Sequence, residues 1–224
     1  HYQCRINPNT LYYTAKFYLY LINVSVFKLH CRIGFENMES YLILNGTIQL
    51  EIGVTSRCRD TVNFMQTFAP VYEKYKRFLR VEFVPWGRTR RGADGLECQF
   101  GVQDCWANRV QRCALSMLDQ DRAVQYMACE FTQPLPAFSG SYSCARAAGL
   151  RLVEVDYCVS TAGGALDAAA EGRAGEPMRV VEFVPYIVWD GLVDRDVSER
   201  ARLGIEAAVC AALPDGPAAG CPAD

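Results

Sequence analysis

GTIQLEIGVTSRCRDTVNFMQTFAPVYEKYKRFLRVEFV, residues 46–84, carries three elements in succession. Gly46 to Val54 is rich in β-formers with closely set apolar residues, the mark of a strand covered on both faces. From Thr61 to Arg77 the apolar residues Val62, Met65, Phe68, Val71 and Tyr75 recur at threes and fours, which predicts an amphipathic helix. Pro70 lies inside it and predicts a kink. Leu79 to Val84 reads as a second strand that stops at Pro85-Trp86-Gly87. A β-α-β unit of this length favours a parallel pair joined by a right-handed crossover.

Working outward, Arg179 to Val184 and Tyr186 to Trp189 are strand-like. Pro185 separates them, and the Asp190-Gly191 turn that follows is a hairpin signal. A last helix is expected over Val197 to Leu213. Residues 87–177 intervene and are mostly helical in pattern, for example Cys105 to Leu118 and Gln120 to Phe131, while Thr161 to Pro177 reads as a surface loop with a short helix. Strand, cysteine at a helix start, helix, strand, then a late X-Pro before a hairpin and a final helix is the order of an α/β, thioredoxin-like fold. It carries a long, mainly helical, disulfide-rich insertion between the second and third core strands. The pentapeptide VEFVP occurs at Val81 and again at Val181, read as two strand ends of similar burial. Residues 46–224 form this domain, and the tail after Leu213 is expected to be irregular. Residues 1–45 are an unassigned appendage; Leu11 to Leu29 is apolar but broken by Lys16, and so fits neither a signal peptide nor a membrane span cleanly.

Composition narrows the chemistry. Lys+Arg is 23 and Asp+Glu is 25, for a net charge of −2, which argues against nucleic acid or an anionic membrane surface as partner. Both histidines, His1 and His30, lie in the first 30 residues, so a histidine base or an imidazole zinc site cannot come from the rest. No cofactor and no metal are implied. Eleven cysteines without any C-x-x-C spacing read as a disulfide framework made in an oxidising compartment. Eleven is odd, so at least one is unpaired or bridges chains. A local pairing of Cys210 with Cys221 is expected, since it would tie down the tail. The sequons at Asn23 and Asn45 fit a secretory route.

Cys98 to Cys113 reads CQFGVQDCWANRVQRC. It is similar to the CQHGxxECxxNxxxxC signature of the gamma-interferon-inducible lysosomal thiol reductase (GILT) family, with Cys98, Gln99, Gly101, Cys105, Asn108 and Cys113 at matching positions. Phe100 stands where the family has His, and Asp104 where it has Glu. The resemblance extends over residues 46–224 and implies a secreted or lysosomal thiol reductase acting on protein disulfides. The family's active C-x-x-C falls here on Cys58-Arg59-Asp60-Thr61, so the second cysteine is Thr61.

A dithiol site works in two steps: one thiolate makes a mixed disulfide with the substrate, and the second thiol resolves it. Cys58 keeps the setting for the first step. It stands at a helix N-terminus, where amide dipoles favour an anion, with Arg57 and Arg59 beside it and Asp60 opposing them. Thr61 can cap the helix or hydrogen-bond the sulfur but cannot form a disulfide, so resolution must come from an external thiol. Cys58 is read as free and accessible, with a bond to another cysteine or to a second chain as alternatives. Val184-Pro185 falls where thioredoxin-like folds place a cis proline beside the active cysteine; an ordinary trans proline at a strand edge is the alternative. Arg88, Arg90 and Arg91 form a small positive loop cluster that suits a polyanion, although Asp94 and Glu97 follow at once. Three functions compete: impaired thiol–disulfide exchange with Cys58 as sole nucleophile, a non-enzymatic extracellular module that contacts a partner protein or cell surface, and a mixed-disulfide adapter.

Overall fold

The structure, a computed structural model, describes residues 47–213 and 220–222. The appendage with Cys4, Cys31, Asn23 and Asn45, and most of the tail, lie outside these residues. Strand β1 (Ile48–Val54) is the middle of a three-stranded sheet of order β2-β1-β5. It runs parallel to β2 (Leu79–Pro85), in register from Ile48 opposite Leu79 to Val54 opposite Pro85, and antiparallel to β5 (Tyr186–Trp189). Its residues are mostly buried because both neighbours and both layers cover it. Gly53 sits opposite Tyr186, and a Cβ there would lie 1.9 Å from the Tyr186 ring. The ring occupies the space that a side chain would need.

Helix α1 (Arg59–Tyr75) crosses over and buries Val62, Met65, Phe68, Val71 and Tyr75, the expected stripe, with Phe64 stacked on Phe68 at 5.4 Å. It continues through Pro70. Gln66 and Pro70 are both exposed, so water can satisfy the Gln66 carbonyl that lacks its i+4 amide. A short 3-10 turn at Lys76–Phe78 leads into β2.

The segment between β2 and β5 holds a small hairpin, β3 (Arg90–Gly92) with β4 (Gly95–Glu97), then helices α2 (Val102–Leu115), α3 (Gln120–Glu130), α4 (Ser143–Ala147), α5 (Leu152–Thr161) and α6 (Gly163–Val180). Three disulfides staple it internally: Cys98–Cys105 ahead of and within the start of α2, Cys113–Cys158 joining α2 to α5, and Cys129–Cys144 joining α3 to α4. The three arginines expected in a loop thus lie on and beside a hairpin. Arg90 pairs with Glu97 at 3.1 Å, Arg91 with Glu171 at 2.7 Å, and Arg88 donates to the Glu182 carbonyl at 2.6 Å, so little charge is left for a polyanion.

Three further expectations are corrected. The stretch 161–177 is not a loop with a short helix, because α6 runs for 18 residues. Its alanines favour helix, and Gly164, Gly172 and Gly175 face open space. Ala170 and Ala174 pack with Trp86, Tyr186 and Val188. Asp167, 2 % exposed, accepts from Arg109 and from the buried Arg112, which locks α6 to α2. Burial pushes the Asp167 carboxyl up, but the two arginines outweigh it and hold the group below its usual range. The second VEFVP is not a strand end. Val180 closes α6, Glu182 has φ +65°, and the strand begins only at Tyr186, with a single bridge from Trp189 to Leu192 completing the expected hairpin. The final helix is two, α7 (Arg195–Leu203) and α8 (Ile205–Ala212), broken at Gly204. Asp194 caps α7 by accepting from Val197 N at 2.9 Å, and Ser198 Oγ accepts from Ile187 N at 2.8 Å. Cys210–Cys221 fastens the tail to α8.

Glu130, at the end of α3, is 1 % exposed. One of its carboxyl oxygens accepts from Ala137 N at 2.8 Å; the other has no partner among the described residues, like the Tyr126 hydroxyl and the Gln111 amide nearby. Burial pushes this carboxyl from 4.5 up to about 7, against the pull of the Ala137 amide. The folded chain therefore holds a proton that the unfolded chain has already released. Its contribution is complete below pH 4.5 and is lost as pH rises through about 7. Urea unfolding is expected to show the native chain losing about 3 kcal/mol across that window, and Glu130→Gln to flatten the loss. Asp167→Ala, which leaves Arg112 buried without its counter-charge, is expected to cost about 3–5 kcal/mol in the same measurement.

Candidate active site

The loop between β1 and α1, Thr55-Ser56-Arg57-Cys58, is held by a buried polar cluster. Thr55, Ser56, Asp104 and Asn108 are each at most 1 % exposed. The Asp104 carboxylate accepts from Thr55 Oγ1 at 2.9 and 3.0 Å, Ser56 Oγ at 2.5 Å, Ser56 N at 3.2 Å, Phe100 N at 3.2 Å and Asn108 Nδ2 at 3.2 Å. Asn108 also accepts from Ser56 N at 3.0 Å and donates to Thr55 Oγ1 at 3.2 Å. Asp104 and Asn108 are four apart on α2 and so share one face, which they turn to this loop. Behind it, Gly87 (φ +55°) passes so close that a Cβ would lie 2.5 Å from Thr55 Cβ.

The cluster places Cys58 as the N-cap residue of α1, in extended conformation, with Cys58 O accepting from Val62 N at 3.0 Å. The sulfur makes no capping bond. It lies 3.5 Å from the Val184 carbonyl, to which the thiol donates, and the Val184–Pro185 bond is cis. Cys58 and Pro185, 127 positions apart, are thereby brought together. Among the described residues Cys58 is the one cysteine without a disulfide, yet it is 8 % exposed. The accessible thiol expected from the sequence is thus a largely covered one. Thr61 is fully buried one turn on, and its hydroxyl has no hydrogen-bond partner among the described residues. It neither caps the helix nor bonds the sulfur.

Each remaining residue of the cysteine-rich motif has a place. Cys98 and Cys105, seven positions apart, close a turn; Gly101, at φ +82°, is the N-cap of α2; Asn108 belongs to the polar cluster; Cys113 anchors α2 to α5. Gln99 is exposed, and its side chain makes no hydrogen bond among the described residues. What the sequence reading lacked was the role of Thr55, Ser56 and Asp104. The signal was present in two short polar residues, Asp104 and Asn108, at i and i+4 on one helix face. It also lacked the setting of Arg57, whose guanidinium carbon stands 5.1 Å from the Phe138 ring centre and 6.0 Å from that of Phe100. No group of three or more His, Cys, Asp or Glu suited to a metal occurs among the described residues. No described helix is long and apolar enough to cross a membrane.

The profile described as "Gamma interferon inducible lysosomal thiol reductase (GILT)" matches residues 49–148, which span β1, Cys58 and the whole cysteine-rich motif. Across these residues the chain is similar to the GILT family. It is also similar to GILT-like protein 1 of Drosophila melanogaster, 23% identical over 184 residues, which cover 73% of this chain and 74% of that protein. Within the GILT frame, Asp104 fills the position of a glutamate, and its shorter side chain still gathers the amides and hydroxyls of the cysteine loop. Removing that acceptor should free the loop. Asp104→Ala is expected to lower stability by about 3 kcal/mol and to raise the rate of Cys58 alkylation in the native state by about tenfold, read by urea unfolding and by mass spectrometry.

Proposed function

We propose that this GILT-like chain is a thioredoxin-like protein with one-cysteine, impaired thiol–disulfide exchange. It would act on protein disulfides in the secretory pathway or lysosome, with Cys58 as the sole nucleophile. The observation that carries the reading is the position of the Cys58 sulfur: start of the first helix, outside any disulfide among the described residues, and against the Val184 carbonyl ahead of Pro185. The β2-β1-β5 order, with β1 parallel to β2 and antiparallel to β5, supports the thioredoxin-like assignment. Four disulfides support an oxidising compartment.

The chemistry follows from what the chain keeps and lacks. The Cys58 thiolate attacks one sulfur of a substrate disulfide; that sulfur bonds to Cys58, and the other leaves as a thiolate and takes a proton. Thr61 cannot attack the adduct. A low-molecular-weight thiol must do so, and a second equivalent completes the two-electron reduction. Turnover is consequently slow and dependent on that thiol. The low exposure of Cys58 favours a second reading, a non-enzymatic module that binds a partner protein or cell surface; a long-lived adduct would make it a mixed-disulfide adapter.

Reduction of a protein disulfide by the purified chain with an external thiol, at acidic and neutral pH, separates these. Exchange predicts measurable activity that Cys58→Ser abolishes and Thr61→Cys raises on the order of tenfold or more. Absence of activity in the parent together with a large gain in Thr61→Cys would leave the binding module in its place. An adduct that survives excess thiol, identified by mass spectrometry at Cys58, would support the adapter.

A further inference from the structure

Arg57 precedes Cys58 directly and is exposed, and no described residue forms an ion pair or hydrogen bond with its guanidinium. It is nevertheless held in place. The guanidinium lies over the half-buried rings of Phe138 and Phe100, at 5.1 and 6.0 Å. Phe100 is itself fixed, because its amide donates to the buried Asp104 carboxylate that also anchors Ser56. Most other described arginines near the insertion spend their donors within the chain, as Arg91 does on Glu171, Arg109 and Arg112 on Asp167, and Arg173 on Glu51 and Glu82. Arg59 and Asp60, the other charges beside the cysteine, are exposed, and neither stands over a ring.

A planar cation stacked on rings keeps its N–H edges free for a bidentate contact, and has already lost the side-chain freedom that such a contact would cost. Carboxylates are the groups on polypeptides that match this fork. We propose that Arg57, on its platform of Phe100 and Phe138, is the specificity residue that recognises a carboxylate beside the scissile disulfide of an acidic client segment. The proposal rests on Cys58 as the nucleophile that meets that disulfide. Phe100 is also where the family motif has His, so the platform belongs to this chain's version of the motif.

The test uses the full chain and short peptides whose single cysteine is activated as a mixed disulfide with neutral 2-thiopyridine. Attack by Cys58 joins the peptide sulfur to Cys58 and releases thiopyridone, which is followed by absorbance. The peptide with Glu beside its cysteine is expected to react threefold to fivefold faster than its Gln counterpart at low salt, and the preference is expected to shrink at high salt. Arg57→Gln should abolish the preference, read as the ratio of the Glu-peptide rate to the Gln-peptide rate, so that any change in Cys58 reactivity common to both peptides cancels. Arg57→Lys should retain part of it, and Phe138→Leu should weaken it. Equal rates for the two peptides, or a preference that survives Arg57→Gln, would overturn the proposal. If neither peptide reacts, the exchange reading fails by itself. Arg57 is then judged by fluorescence anisotropy of the same peptides with Ser for Cys: tighter binding of the Glu peptide, lost in Arg57→Gln, sustains the carboxylate site, and equal binding removes it.

Discussion

The carboxylate of Asp104 is the point from which the site is built. A charged group at zero exposure is costly unless every lone pair is used, and here five donors from three separate stretches of chain converge on it. They come from the loop before Cys58, the turn closed by Cys98–Cys105 and the next turn of α2. The cysteine-rich motif therefore has a mechanical meaning. Its disulfide and its glycine shape the turn that delivers Asp104, and its asparagine completes the shell around Ser56. The backbone that presents the sulfur is fixed by residues about fifty positions downstream, not by its own neighbours.

A second buried charge does for the insertion what the first does for the site. Asp167 draws Arg109 and Arg112 together, and Arg112 reaches onward to the Pro85 carbonyl at the end of β2. Helix α6 is thereby tied to α2 and to the sheet edge. With three internal disulfides, the insertion is a cross-linked platform on which α2 can hold its polar face against the Cys58 loop. Under the proposed function, rigidity of this kind suits a mostly covered sulfur, because access would depend on how a client meets the rim, where Arg57, Phe100 and Phe138 stand.

Thr61, which stands where the GILT-type motif would place a second cysteine, has a local signature. The hydroxyl is buried and unpaired among the described residues, so nothing there rewards it as a polar group. It fills volume one turn from the sulfur. Under the proposed exchange chemistry, Thr61 leaves the first nucleophile without a resolving partner, and the balance between slow exchange and simple binding would be set by how readily the covered sulfur meets a disulfide.

Local pattern alone sufficed for β1, α1 and β2, because their apolar spacing matches the period of the element and each buries the face it advertises. It also marked Cys58, Thr61 and the motif from Cys98 to Cys113, since fixed offsets between chemically demanding residues survive without knowledge of the fold. Tertiary structure decided the rest. The pentapeptide VEFVP is the plainest instance: at Val81 it is a strand lying beside β1, and at Val181 it is the exit from α6, with Glu182 at positive φ. The same residues take two conformations because the first copy has a ladder partner along its length and the second must turn from a helix into β5. Likewise α6, with four glycines and Pro177 among its alanines, looked like a loop until the burial of Asp167 against two arginines locked it to α2. Short-range spacing specifies which face is apolar; only the folded chain specifies what that face, or a buried charge, will meet.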